Sequence, residues 1–265
     1  MKINNKRLCY NRKDMKMYSA YDPFAWIYNR HWGNTFLPVV LPILDNLVLR
    51  KLPKSARILD LCCGTGQMAQ QLTTLGYRVT GIDGSSEMLG YARENAPGVE
   101  FLLADARSFQ LPYKYHAVFS VFDSLNHIMS TRELGAVFRS TYSALRNGGL
   151  FMFDLNTEAG YIYEWNGDFT IVEDDHVCVV RNSYNQQTRT ADFDATIFRL
   201  KDGSWYRHDV VLYQKCHAPI AVKSALRSAG FTDIEAYGFD WQSGVRPLDK
   251  DARRVFFLCR KPKNV

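Results

Sequence analysis

The segment Leu59-Asp-Leu-Cys-Cys-Gly-Thr-Gly-Gln67 puts small residues where an apolar run gives way to a helical one. Small side chains let the backbone come close to a ligand, and a helix N-terminus offers free N–H groups. Gly64-x-Gly66-x-x-Ala69 fits the spacing of a dinucleotide-binding turn. Asp83 ends the next apolar run, 17 residues past Gly66, where a carboxylate can accept hydrogen bonds from both ribose hydroxyls. A nicotinamide dinucleotide and another adenosine cofactor both satisfy these features. Two further carboxylates separate them. Asp60, four residues before Gly64, is unhelpful to a pyrophosphate but suits a cationic cofactor bearing an ammonium and a sulfonium. Asp105-Ala106 ends a third run, placed for an adenine amino group.

The elements that must position these residues alternate regularly. Strands are expected at 57–62, 78–83, 99–105, 116–122 and 150–154, with helices at 67–75, 86–94 and 131–145. Gly148-Gly149 is expected to end the last of these helices. Strands this apolar, spaced by helices, predict a parallel sheet covered on both faces. Ahead of them a helical region runs from Pro23 into Leu49, broken near Gly33 and at Pro38 and Pro42. From Phe169 to Gln214 the text is strand-like. Asp202-Gly203 and Asn185–Thr188 mark turns, so about four antiparallel strands are expected there. Pro219 opens a helix that stops at Gly230, and strands at 234–239 and 254–259 close the chain. The fold class is therefore α/β: a doubly wound, seven-stranded, mostly parallel Rossmann-like sheet with an antiparallel β insertion. The boundaries read as an N-terminal helical lid region at 1–55, a cofactor-binding domain at 56–160 and 217–265, and the insertion at 161–216.

Composition narrows the class of partner. The chain has 265 residues, 46% apolar and 23% charged, enough to bury a core of two or three layers. No apolar run reaches the ~20 residues that cross a bilayer, and the start carries no apolar signal segment. Six scattered cysteines, with no CxxC pair, argue against a disulfide framework and against a zinc site, so no metal is expected. These features predict a cytoplasmic protein with no membrane partner. The net charge of +6 resolves into two basic ends. Residues 1–16 hold six Lys/Arg against one Asp, and residues 246–265 hold seven against two, so each end is +5 and the stretch between is −4. A basic patch can recruit nucleic acid, but the residues that carry the motifs are mildly acidic.

Four motifs at this spacing resemble the class I S-adenosylmethionine-dependent methyltransferases. They are Leu59–Gln67, Val79-Thr-Gly-Ile-Asp-Gly-Ser-Ser-Glu-Met88, Leu103-Ala-Asp-Ala106 and Phe119-Ser-Val-Phe-Asp-Ser-Leu-Asn126. The resemblance implies S-adenosyl-L-methionine as cofactor. Asp60, Cys62, Gly64 and Gly66 would surround the methionyl part, Asp83 would bind the ribose, Asp105, Ala106 and Phe122 would flank the adenine, and Gly84 and Met88 would belong to the same cofactor site. Cys62 stands where the family usually has glycine. Tyr21-Asp-Pro-Phe-Ala-Trp-Ile-Tyr28 matches a helix that, in small-molecule members, closes over methionyl group and acceptor. Tyr21, Tyr28 and Trp32 share roughly one face of that helix and would meet the sulfonium.

Methyl transfer from a sulfonium is an in-line displacement in which the protein aligns the nucleophile and excludes water. Ligands of open α/β sheets lie beyond the carboxyl ends of the strands. Asp123-Ser-Leu-Asn-His127 and Asp154-Leu-Asn-Thr157 fall there. His127 is the candidate base, with Asp123 or Asp154 to orient it or to act as base itself. Asn126, Asn156 and Tyr161 are assigned to the acceptor. The two clusters look like those of amino-sugar N-methyltransferases and relatives of glycine N-methyltransferase. The Asn/Asp-Pro-Pro-Tyr signature of enzymes that methylate base amino groups is absent, so nucleic acid is not the expected acceptor. The reading is a monomeric or homodimeric enzyme that methylates an N or O nucleophile of a small molecule. Its alternatives are a methyltransferase acting on RNA or protein, and a non-catalytic protein that binds the cofactor. The aromatic-rich insertion would wall the acceptor pocket or make a dimer contact, and His176, His208 and His217 within or beside it read as surface or structural.

Overall fold

Residues 19–165, 167–241 and 244–263 are described by a computed structural model. The basic segment 1–16 and Tyr18 lie outside these residues. Helices α1 (Ala25–His31) and α2 (Leu37–Leu47) precede a regular alternation. It comprises β1 (Arg57–Leu61), α3 (Gln67–Thr74), β2 (Arg78–Asp83), α4 (Ser86–Asn95), β3 (Glu100–Leu103), β4 (Tyr115–Ser120), α5 (Thr131–Ala144) and β5 (Leu145–Asn156). Helix α6 (Glu158–Glu164) leads into four strands, β6 (Gly167–Glu173), β7 (His176–Asn185), β8 (Thr190–Lys201) and β9 (Ser204–Lys215). Helix α7 (Pro219–Ser228) and strands β10 (Thr232–Asp240), β11 (Gly244–Pro247) and β12 (Arg254–Arg260) complete the chain.

The main sheet has the order β11-β10-β12-β5-β4-β1-β2-β3. Strands β1 to β5 pair in parallel, and β12, β10 and β11 are added antiparallel at one end. The seven expected strands are present, and β11 is an eighth, at the edge beyond β10. Strand order reverses between β1 and β4, the switch point at which ligands of such sheets bind. Both ends of that opening carry motif residues.

Each face of the sheet is covered. Val137, Phe138 and Leu226 of α5 and α7 bury against Phe151, Phe153 and Phe257 on one side. Val40 and Leu44 of α2 join Met68, Phe119 and Phe256 on the other, so α2 belongs to the core rather than to a lid. Pro38 and Pro42 do not break α2. Pro38 sits in the first turn, where its missing N–H has no helical partner. Pro42 forfeits one hydrogen bond, but its neighbours Val40, Ile43 and Leu44 are buried. The Gly148-Gly149 pair also differs from expectation. Helix α5 stops at Ala144, and the glycines lie inside β5, where the register against β4 slips and Gly148 takes φ +76°.

The second sheet, β6-β7-β8-β9, is antiparallel throughout. Asp202-Gly203 makes its two-residue hairpin, with Lys201 paired to Ser204. Its inner residues Cys178, Val180, Ile197, Val210 and Leu212 bury Phe24 and Ile27 of the N-terminal helix region. Full burial of each such side chain contributes about 1.5–3 kcal/mol, so the second sheet is what holds α1 over the switch point. Of the aromatics in this region, Tyr184 stacks on Tyr161 at 5.0 Å, Phe193 packs against the α1 core, and Trp205 and Tyr206 are exposed. His176 and His217 are buried, and His208 is exposed.

Candidate active site

The turn after β1 is built on left-handed backbone. Gly64 and Gly66 have φ of +53° and +83°. A Cβ on Gly66 would stand 2.9 Å from the Cα of Ala92 in α4, so only glycine allows this approach. Cys62, at the family's glycine position, also has φ +60°, a conformation that costs a non-glycine residue about 1–2 kcal/mol. Asp83 braces the turn: its Oδ2 accepts from the Gly64 N–H at 2.9 Å and its Oδ1 from the Ser85 N–H at 2.9 Å.

Asp60, in β1, is 2% exposed, and its Oδ2 has no hydrogen-bond partner among the described residues. Burial, reinforced by the charge of Asp83, pushes its carboxyl up to about 7. Burial likewise raises Asp83. A buried and a half-buried carboxylate facing one turn, the buried one with an unspent oxygen, favour a cationic ligand and disfavour a pyrophosphate. The donor set therefore fits a ligand carrying an ammonium and a sulfonium.

The N-terminal helix region closes this turn from above. The Tyr28 ring lies 3.7 Å from where a Gly64 Cβ would be and 6.4 Å from the Phe122 ring. Asn29 fastens α1 down, its Oδ1 accepting from Gln67 Nε2 at 2.8 Å and from Asn95 Nδ2 at 2.7 Å. Asp22 adds a second tie, accepting from the Ser85 hydroxyl at 2.5 Å. Trp32 is not part of this group. Its ring packs against Phe24, His31, Phe169 and Phe193, within the core shared with the second sheet, so the expected cofactor contact is corrected to a packing role. Met88 is 2% exposed and packs in that same core. Gly84 is exposed with open space around it.

The ends of β4 and β5 form the opposite wall. Phe122 and Asp123 are consecutive left-handed residues, φ +63° and +49°. Asp154, fully buried, accepts from both of their N–H groups, at 2.7 and 3.0 Å. Arg254 bridges Asp154 and Asp123, with 2.9 Å to Asp123 Oδ1, and its guanidinium lies 4.7 Å over the Phe36 ring. Gln214 of β9 donates to Asp123 Oδ2 at 2.6 Å. Both carboxylates are thus committed to backbone, arginine and amide, which corrects their assignment as bases. Phe122 itself stacks on Phe36 at 5.1 Å.

His127 shares the Gln214 amide with Asp123. Its Nδ1 donates to the Tyr213 carbonyl at 2.8 Å, which fixes the tautomer and leaves Nε2 an acceptor. Nε2 accepts from the Tyr21 hydroxyl at 2.7 Å and from Gln214 Nε2 at 3.1 Å. Burial lowers the imidazole below its ordinary value, opposed by the nearby Asp123 charge, and so favours the neutral ring. The three residues expected at the acceptor are instead spent internally. Asn126 Nδ2 donates to the Lys215 carbonyl at 2.8 Å, and its Oδ1 accepts from the Asn156 N–H at 2.9 Å. Tyr161 donates to Gln214 Oε1 at 2.6 Å. All three are buried, and they weld the second sheet to the first. Asp105 is exposed and gripped by Arg107, with 2.7 Å from Nη2 to Oδ2, and Ala106 follows it on the same loop.

Arg254, Gln214, Asn29 and Asp22 were not expected at the site. Arg254 carried one readable signal, a charge opening the otherwise apolar strand Arg254-Val-Phe-Phe-Leu-Cys259. Asp22 lies within the Tyr21–Tyr28 motif, and Gln214 and Asn29 carried no signal.

Residues 58–149 match the methyltransferase domain family. A putative methyltransferase of Geobacillus sp. (strain WCH70) is 29% identical over 212 residues, which span 77% of this chain and 84% of the relative. The dTDP-3-amino-3,4,6-trideoxy-alpha-D-glucopyranose N,N-dimethyltransferase of Streptomyces venezuelae is 33% identical over 111 residues, 42% of this chain and 47% of the relative. The solved structure of an S-adenosylmethionine-dependent methyltransferase from Clostridium acetobutylicum shares the fold, with a TM-score of 0.74 at 20% identity, covering 92% of this chain and 100% of that one. With the domain, the strand order and these relatives in agreement, the chain is an S-adenosylmethionine-dependent methyltransferase.

Proposed function

We propose that the protein methylates a nitrogen or oxygen nucleophile of a small molecule, with His127 as general base. The observation that carries this reading is the His127 Nε2, fixed as an acceptor by the Tyr213 carbonyl and facing the Tyr21 hydroxyl beside the Gly64 turn. When bound, S-adenosylmethionine supplies a methyl group on a positively charged sulfur that departs as a neutral thioether. Asp60 and Asp83 bind and orient that cation, and Asp83 offers its remaining acceptor capacity to a ribose. Tyr28 and Phe122 exclude water from the reacting line. Asp123, Asp154, Arg254 and Gln214 position the loop that carries His127. An acceptor that arrives as an ammonium gives a proton to Nε2 before its freed lone pair attacks the methyl carbon, whereas a hydroxyl gives its proton as the new bond forms; in both cases the methyl–sulfur bond breaks, and the Tyr21 oxygen then accepts from the Nε2–H.

A sugar amine is the favoured acceptor class. The 33% identical relative from Streptomyces is named for dimethylating an amino sugar, and its match covers the motif half of this chain. An amine arrives as an ammonium at neutral pH, which is the case in which a base is needed. The test is a panel of amino sugars, simple amines, hydroxylated metabolites and RNA, scored by S-adenosylhomocysteine release with wild type and His127→Ala. Release with an amino sugar, reduced ~10²-fold or more in His127→Ala, is expected. Release only with RNA, or equal rates in the variant, overturns the reading.

A further inference from the structure

At the opposite end of the main sheet, where the parallel strands begin, lies a cleft of about 370 Å³. Such a volume falls within the ~300–1,000 Å³ of small-molecule sites. Its polar lining is cationic: Lys51, Arg146, Arg260 and Lys263, with His116 between them. Leu52, Pro53 and Leu150 supply an apolar wall. Among the described residues no carboxylate stands within ion-pair distance of Lys51, Arg146 or Lys263. Arg260 alone is paired, to Asp233 at 3.2 Å, on the side of a smaller adjoining hollow that also holds Glu235.

Lys263 and Arg260 both lie against Gly148. Gly148, with φ +76°, leaves room for the Lys263 stem, which a Cβ there would meet at 3.1 Å. Arg260 donates through Nη1 to the Gly148 carbonyl at 3.0 Å. The neighbouring Lys261 is spent on the carbonyls of Tyr142 and Leu145 and takes no part.

His116 adds an independent sign. Its Nδ1 accepts from the Arg57 N–H at 3.1 Å, while Arg146 Nη1 stands 2.8 Å from its Nε2. A neutral imidazole has one accepting nitrogen, and guanidinium only donates. With Nδ1 used as acceptor, Nε2–H and Arg146 are two donors facing each other. An anionic oxygen seated alongside accepts from both and relieves the conflict. Arginine forks and lysine charges together suit phosphate oxygens.

We propose that this cleft binds a small phosphorylated ligand of nucleotide size, its phosphates on Arg146, Lys263 and His116 and its apolar part on Leu52, Pro53 and Leu150. The site is separate from the methyl-transfer site. Arg254 and Arg260 mark the two ends of β12, six residues and about 20 Å apart.

The test is calorimetric titration of the full chain, saturated with S-adenosylhomocysteine, with ADP, inorganic phosphate and a single-stranded oligoribonucleotide series. Saturable one-to-one ADP binding below about 1 mM is expected, tighter than phosphate. Arg146→Ser/Lys263→Ser is expected to weaken it about tenfold or more, with thermal unfolding unchanged. Should that double variant fold poorly, Arg146→Gln and Lys263→Gln, measured singly, are each expected to weaken ADP binding severalfold. Absence of saturable binding, equal affinity in the variants, or competition with S-adenosylhomocysteine overturns the proposal. Affinity that climbs with oligonucleotide length and exceeds that for ADP also overturns it, in favour of a polynucleotide. Because ADP binding and its loss in the variants are read directly, failure of the methyl-transfer reading leaves this result legible.

Discussion

Asp154 is the group whose loss the fold should feel most, because one buried carboxylate holds both a strained turn and a buried arginine. It accepts from the N–H groups of Phe122 and Asp123 at 2.7 and 3.0 Å and ion-pairs Arg254. Each left-handed residue at that turn costs about 1–3 kcal/mol, so the conformation persists only while the acceptor is present. Asp154→Asn keeps one carbonyl oxygen but sets its amide against an N–H or against the guanidinium. Breaking a buried pair by altering one partner costs about 3–5 kcal/mol, and hydrogen bonds to a charged group are worth about 1.5–3 kcal/mol each. These losses overlap, so about 3–5 kcal/mol in total is expected. The measurement is urea unfolding at neutral pH, with the slope checked for constancy. Arg254→Met and the double variant complete a cycle, in which a coupling of at least ~1 kcal/mol is expected between contacting residues. A loss below ~1 kcal/mol in Asp154→Asn, or additivity in the cycle, would falsify the idea that this carboxylate holds the turn.

Three other expectations follow from the site. His127 acts only while neutral, and burial lowers its value, so kcat/KM should fall as pH drops through a point below the ordinary ~6.5 of histidine and level off above it; a flat profile speaks against the base. Asp60 titrates at about 7 when folded, above the ~3.9 of an unfolded aspartate. Its favourable contribution is therefore complete below pH ~4 and lost as pH rises through ~7, so Asp60→Asn should stabilise the ligand-free protein at pH ~8 far more than at pH ~4, by a few kcal/mol on the order expected from linkage. Urea midpoints at the two pH values decide it, and equal gains would refute the burial argument. Gly66→Ala should cost ~2 kcal/mol or more, since its Cβ meets the Ala92 backbone at 2.9 Å and φ is +83°, whereas Cys62→Gly at φ +60° should be tolerated; thermal unfolding of both, with the order reversed, would contradict the turn geometry.

The first five strands of the main sheet were legible because parallel strands buried on both faces read as unbroken apolar runs, as in Arg57-Ile-Leu-Asp-Leu61 and His116-Ala-Val-Phe-Ser120. The Gly64 and Asp83 side of the site was legible for a related reason: one turn and one strand end, local in sequence, build it. The opposite wall was not. Its partners Arg254 and Gln214 reach Asp123 from 131 and 91 residues away, and spacing says nothing about such contacts. Carboxylates at strand ends look free for chemistry in sequence, yet Asp154 is consumed by the two N–H groups that its own fold leaves in a left-handed turn. The glycine pair 148-149 misled similarly, since a left-handed φ serves a strand irregularity as well as a helix end. Trp32 shares a helix face with Tyr21 and Tyr28 on paper, but the second sheet, invisible to that periodicity, claims its ring.

The central claim is that the Gly64 turn, Asp60 and Asp83 hold the methyl donor and its product. Calorimetric titration of the full chain with S-adenosylhomocysteine, for wild type and Asp83→Ala, tests it most directly. One-to-one binding, weakened about tenfold or more in a variant that still folds, is the predicted result. Absence of binding to wild type, or equal affinity in Asp83→Ala, would contradict the account.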